Sequence, residues 1–319
     1  MIYIEASPEL RLRPAHVLLM IYRYLSGVYQ MGDQFALNYI KGFLDGNSAT
    51  NPKRILTVSG HGIGEAETWL AEKFADCHID TVSFRLIDTQ LLQFLRAATA
   101  ADIETIFSKF VDSVGSYKLL SQLAADPGLV PYWRGQAQHV KDYFRKKTIS
   151  VFSDHPLRMQ TSCSYDLIYV SHGMQYFSDE AVAKLRRHLA PQGLLAILMA
   201  PAEGSQNGNG AGRFSNSRVA LEGKALFRKL LEDRGYILSP AQSFALDLKG
   251  IGRRRELSRF NILASAKSVL LGELILASLG EHISDRARLE ILDATAARYD
   301  DLNMPVSEEL ELIIIESES

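Results

Sequence analysis

Two near-continuous apolar runs, YDLIYVS at 165–171 and LLAILMA at 194–200, lie on either side of the amphipathic segment DEAVAKLRRHL at 179–189. A strand with no polar alternation is buried on both faces, and such strands joined through helices belong to parallel sheets covered on both sides. The same alternation recurs upstream. RILTVS at 54–59 is a β-prone run that enters a glycine turn, after which a helix is expected from about Glu65 to Phe74. DTVSFRLID at 80–88 is a second strand candidate ending at Asp88, and TISVF at 148–152 is a third. The interval at about 96–147 carries helical patterns broken at Gly115 and at DPGLVPYWRG, and reads as a helical insertion.

Toward the N-terminus, apolar residues from Pro14 to Leu44 recur at mixed three and four spacings, which predicts two or three helices around a break near Gly32. The polar cluster DGNSATNPK then suits a linker, so a helical cap at 1–50 is expected before an α/β domain at 51–319. Downstream, GSQNGNGAG reads as a polar loop, 222–235 as a helix stopped by Gly235, APQG at 190–193 as a turn, and 236–248 as a strand. Segments 253–283 and 285–299 read as helices, a second insertion at 253–300, and ELELIIIES closes the chain as a strand.

Gly60, Gly62 and Gly64 let the backbone approach a ligand closely, while the helix that follows offers free N–H groups. The dinucleotide fingerprint is G-x-G-x-x-G, whereas here the spacing is G-x-G-x-G with Glu65 directly behind it. A carboxylate at that place repels pyrophosphate, which argues against NAD. A P-loop is excluded because no Gly-Lys-Ser/Thr follows. Asp88 is placed in sequence to accept hydrogen bonds from ribose hydroxyls.

Charge narrows the partners further. With 35 Lys and Arg against 37 Asp and Glu, the net charge of −2 gives no basis for nucleic-acid or anionic-membrane binding, and a small-molecule substrate is expected. The two cysteines have neither zinc-site spacing nor the density of a disulfide scaffold, so a cytoplasmic location is expected, and with no cluster of His and carboxylates at ligand spacing no metal is expected. The N-terminus lacks the pattern of a leader and no run reaches membrane-spanning length. A monomer or homodimer is expected.

With the glycine turn, Asp88 and 164–201 in view, the chain resembles class I S-adenosylmethionine-dependent methyltransferases. The resemblance covers roughly 50–245 and rests most on Tyr165-Asp166-Leu167, the aromatic pair Tyr176-Phe177, Arg186-Arg187 and Leu189-Ala190-Pro191-Gln192-Gly193. Within that family the layout is most similar to histamine N-methyltransferase-like small-molecule enzymes. It implies a Rossmann-like, mostly parallel seven-stranded sheet with helices on both faces and an antiparallel last strand, here with an added helical cap and helical insertions. It also implies S-adenosylmethionine as cofactor, held by Gly60, His61, Gly62, Gly64, Asp88, Thr89, Asp154, His155 and Ser171. The acid usually found two positions before the first glycine is replaced by Val58, so the methionine arm must be held differently.

The sulfonium of that cofactor can be held by aromatic faces, for which Tyr176 and the insertion pair Tyr132 and Trp133 are the candidates, Trp133 as part of a lid. Methyl transfer to an amine or thiolate needs little acid or base help, whereas a hydroxyl acceptor requires a base, for which His172 is the first candidate. The alternative chemistry on this fold is cyclisation of S-adenosylmethionine itself to azetidine-2-carboxylate and methylthioadenosine, with Trp133 and Tyr176 folding the arm back.

Overall fold

The computed structural model describes residues 3–7, 9–26, 28–46, 51–59, 64–83, 86–145, 149–153, 163–171, 179–199, 229, 232–233, 253–265, 284–299 and 305–317. Seven strands form one sheet in the order β5-β4-β3-β6-β7-β9-β8. These are β3 (Arg54–Ser59), β4 (His78–Ser83), β5 (Ile149–Ser153), β6 (Tyr165–Ser171), β7 (Leu189–Met199), β8 (Arg253–Ser265) and β9 (Pro305–Glu316). The first five run parallel, and β9 is antiparallel to both β7 and β8. The parallel pairing and the reversed last strand are as expected from the sequence.

Each central strand is buried on both faces, and the period of two divides its residues between two cores. Ile55, Leu167, Tyr169 and Ala196 face α2 (Val28–Gly46) and α3 (Glu65–Lys73), while Leu56, Val58, Ile168 and Ile197 face the opposite side, where Leu185 of α8 (Asp179–Arg187) packs. A third core is helical. It joins α1 (Pro14–Ser26), α4 (Leu86–Ala97), α5 (Ala100–Ser113), α6 (Lys118–Ala124), α7 (Leu129–Arg145) and α9 (Asp285–Tyr299). The two helices of the preface therefore serve different cores, α1 the helical one and α2 the sheet.

Several expectations are corrected. Gly32 lies inside α2, so no break falls near Gly32; α1 ends at Ser26 and α2 starts at Val28, and their apolar faces serve different cores. The second strand stops at Ser83, and Asp88 falls within α4, five residues past the strand's end. Residues 253–265 form a strand, not a helix: Phe260 and Ile262 alternate inward around exposed Asn261, and the segment pairs with β9 along its length. The APQG segment lies within β7 but is looped out, since Tyr165 pairs with Leu189 and Leu167 with Leu194, and Gln192 takes φ 64°. A short hairpin of β1 (Ile4–Glu5) and β2 (Arg11–Leu12) has no counterpart in the sequence reading.

The helix expected at 222–235, the strand at 236–248 and the helices across 266–283 lie outside the described residues, apart from positions 229, 232 and 233. No helix among the described residues is long and apolar enough to cross a membrane.

Candidate functional site

The chain enters the sheet at β3, adds β4 and β5 on one side, and then returns to place β6 on the other. Between β3 and β6 the strand order reverses, and in open α/β sheets ligands sit beyond the strand C-termini at such a point. Ser59 and Ser171, the last residues of the two strands, are register partners at this edge. Gly64 stands at the N-terminus of α3.

Three buried carboxylates gather here. Glu65 and Glu67 stand in the first turn of α3, where the free N–H groups and the helix dipole favour negative charge. Asp33 comes from α2, one turn after Gln30, so the two project from the same helix face. Asp33 is only 4% exposed, Glu65 7% and Glu67 1%.

The hydrogen bonds to each carboxylate from the described residues converge on one oxygen. Tyr169 and Ser171, two apart and therefore on the same face of β6, donate hydroxyl bonds of 2.5 and 2.6 Å to Asp33 Oδ1. Tyr132 Oη and Gln30 Nε2 donate to Glu65 Oε1 at 3.1 and 2.9 Å, and Gln30 also donates to the Tyr132 hydroxyl. Thr57 and Thr81, register partners on β3 and β4, each donate to Glu67 Oε1 at 2.7 Å. Glu67 Oε2 is buried with no partner among the described residues. Donors so arranged fix the carboxylates while leaving acceptor capacity on the other oxygens.

Burial is the dominant electrostatic effect. It pushes Asp33 up to about 7 against the hydroxyl bonds, which act the other way, and the neighbouring Glu65 and Glu67 charges raise it further. Glu65 is raised by burial, offset by Arg23 and by its bonds from Tyr132 and Gln30. The Tyr169 hydroxyl is raised by burial and by Asp33, so it remains a donor.

The folded protein thus holds the Asp33 proton up to about pH 7, whereas the ordinary carboxyl value is 3.8. The folded state binds more protons across that window, so this group makes stability fall as pH rises through it. Denaturation in the absence of ligand should show a midpoint that declines from pH 5 to pH 8. The Asp33→Asn variant should flatten that decline, and an unchanged slope would remove Asp33 as its source.

Gly64 sits at the start of α3 with φ 87°, in the left-handed region, where a side chain is strained. A Cβ there would also stand 3.2 Å from Val140 Cγ2 and 3.3 Å from Leu92 Cδ1. We expect Gly64→Ala to destabilise the protein by about 1 to 2 kcal/mol in chemical denaturation. No loss of stability would mean the turn can relax to a right-handed conformation.

The other sequence candidates fall unevenly. Ser171 is buried and joins the cluster, and so does Tyr132. Trp133 is fully buried in the helical core, with its ring edge-on to Tyr132. Thr89 lies half-buried in α4. Val58 packs in the core of the opposite sheet face, because the strand's alternation turns Thr57, not Val58, toward the carboxylates. Gly60, His61, Gly62, Asp154, His155, His172 and Tyr176, and the side chain of Asp88, lie outside the described residues. No group of three or more His, Cys, Asp or Glu side chains among the described residues is arranged to hold a metal ion.

The sequence reading missed Asp33, Gln30, Glu67 and Tyr169. Spacing gave no signal for them, because the sheet register and the packing of α2 bring them together.

No family model matches the sequence, and no curated protein matches it. Among solved structures, phosphoethanolamine N-methyltransferase 2 from Haemonchus contortus is 11% identical over 94% of this chain and 57% of that one, with a TM-score of 0.41. This chain therefore spans little over half the length of that enzyme. The N-methyltransferase NodS from Bradyrhizobium japonicum is 12% identical over 88% of this chain and 85% of that one, TM-score 0.37. The [4+2]-cyclase SpnF is 11% identical over 88% and 82%, TM-score 0.41. By its own strand order and reversed final long strand, the chain has the fold of the class I S-adenosylmethionine-dependent methyltransferases.

Proposed function

We propose that the chain is an S-adenosylmethionine-dependent enzyme that transfers a methyl group to a small-molecule amine or hydroxyl. The observation that carries this reading is the set of three buried carboxylates at the switch point, one with an unpartnered oxygen. Three buried carboxylates, of which Arg23 offsets Glu65, repel pyrophosphate and favour a ligand bearing positive charge. S-adenosylmethionine carries two such charges, a sulfonium and an ammonium.

The residues fit that ligand as follows. Gly64 gives the backbone a left-handed turn that leads into α3. Glu65 and Glu67 would face its cationic portion, with Tyr132, Gln30, Thr57 and Thr81 fixing the two carboxylates. Ser171 at the end of β6 would line the floor. When bound, S-adenosylmethionine supplies an electrophilic methyl group on sulfur. The protein's own work is to orient the two partners in line and exclude water, which converts a bimolecular encounter into a local one.

Incubation with methyl-labelled S-adenosylmethionine and a panel of amines and alcohols tests the reading by its nucleoside product. S-adenosylhomocysteine with a labelled acceptor is expected. Methylthioadenosine formed with no acceptor present would replace methyl transfer by cyclisation to azetidine-2-carboxylate.

A further inference from the structure

Strand β3 ends Thr57-Val58-Ser59 and carries no acid, so whatever holds the amino-acid arm of the ligand comes from elsewhere. Glu65 and Glu67 belong to the strand-turn-helix unit itself, but Asp33 does not; it is delivered by α2, before the sheet begins. We propose that Asp33, from the N-terminal helix pair, anchors the α-ammonium of the methionine arm, supplying from the cap the charge that β3 lacks. This rests on the cofactor reading above.

Position is the first support. Tyr169 and Ser171 pin Asp33 Oδ1 at the C-terminal end of β6, directly across from the end of β3, since Ser171 and Ser59 are register partners. Acceptor capacity is the second. Both hydroxyls bond to Oδ1, so neither occupies Oδ2. The third is independent of Asp33: Glu67 Oε2, in a side chain 1% exposed, is unpartnered among the described residues. A buried acceptor oxygen without a donor, beside two further buried carboxylates, calls for a group with several donors and a positive charge, and an ammonium has three.

The ionisable groups facing Asp33 are Tyr169 on β6 and Glu65 and Glu67 on α3, with Arg23 of α1 acting on Glu65. In the free protein burial raises Asp33 to about 7, so a neutral form is populated near pH 7. An ammonium beside it favours the carboxylate, so binding expels a proton from Asp33 to solvent.

Calorimetry on the full chain tests this with S-adenosylhomocysteine, which carries the ammonium arm, and 5′-methylthioadenosine, which lacks it. Asp33→Asn is expected to weaken S-adenosylhomocysteine at least tenfold while changing methylthioadenosine less than twofold. Equal losses for both ligands, or none for either, would overturn the assignment. A second measurement needs no variant. Titration at pH 7 in two buffers of different ionisation enthalpy should reveal net proton release on binding S-adenosylhomocysteine and none on binding methylthioadenosine. Equal release for the two ligands would equally overturn it. If the folded wild-type chain binds neither nucleoside, it is the cofactor reading that fails, and the assignment falls with it.

Discussion

Trp133→Ala is expected to lower stability by about 3 to 5 kcal/mol, the largest loss of any single substitution considered for this chain. The indole is fully buried, stands edge-on to Tyr132 at 5.2 Å between ring centroids, and packs in the core that joins α1 to the helical insertion. Removing it leaves a cavity that helices on several sides would have to collapse into. Its Nε1 has no partner among the described residues, so Trp133→Phe, which fills most of the space without that polar atom, should recover a good part of the loss. Denaturation of the two variants measures the effect. If Trp133 instead closed over a ligand, alanine would weaken ligand binding with stability almost untouched.

Glu67→Gln should move stability and binding in opposite directions. The amide oxygen can still accept from Thr57 and Thr81, so the strut between β3 and β4 survives. What disappears is one buried charge beside Asp33 and Glu65, whose mutual repulsion the empty protein must tolerate. The unliganded variant is therefore expected to be at least as stable as the parent. A cationic ligand loses a charge-assisted hydrogen bond worth about 1.5 to 3 kcal/mol, a weakening of roughly 10- to 100-fold. Loss of stability with unchanged affinity would make Glu67 a structural strut and nothing more.

Much of the architecture is legible in the chain because burial on both faces leaves an unbroken apolar run. YDLIYVS and the closing ELELIIIES therefore read as strands without help, and DEAVAKLRRHL reads as the helix between β6 and β7. Residues 253–265 were misread because their charges fall on an outer strand whose inward positions, Phe260 and Ile262, only make sense beside β9. Asp88 was misplaced because a strand-like run continues past Ser83 into residues that helical packing claims.

The site was less legible than the fold. Glu65 was noticed only for the ligand it would repel. Val58 drew attention as a missing acid, yet strand alternation turns it away and presents Thr57 instead. Asp33 could not be found from spacing at all, since its partners Tyr169 and Ser171 lie more than 130 residues away and meet it only when α2 packs on the sheet.

The most direct test of the carboxylate-lined switch point is equilibrium binding of S-adenosylmethionine to the wild-type chain, with NAD titrated in parallel. Saturable binding of S-adenosylmethionine with no detectable binding of NAD is the expected result. A folded protein that ignores S-adenosylmethionine, or that binds the pyrophosphate ligand in preference to it, would contradict the assignment.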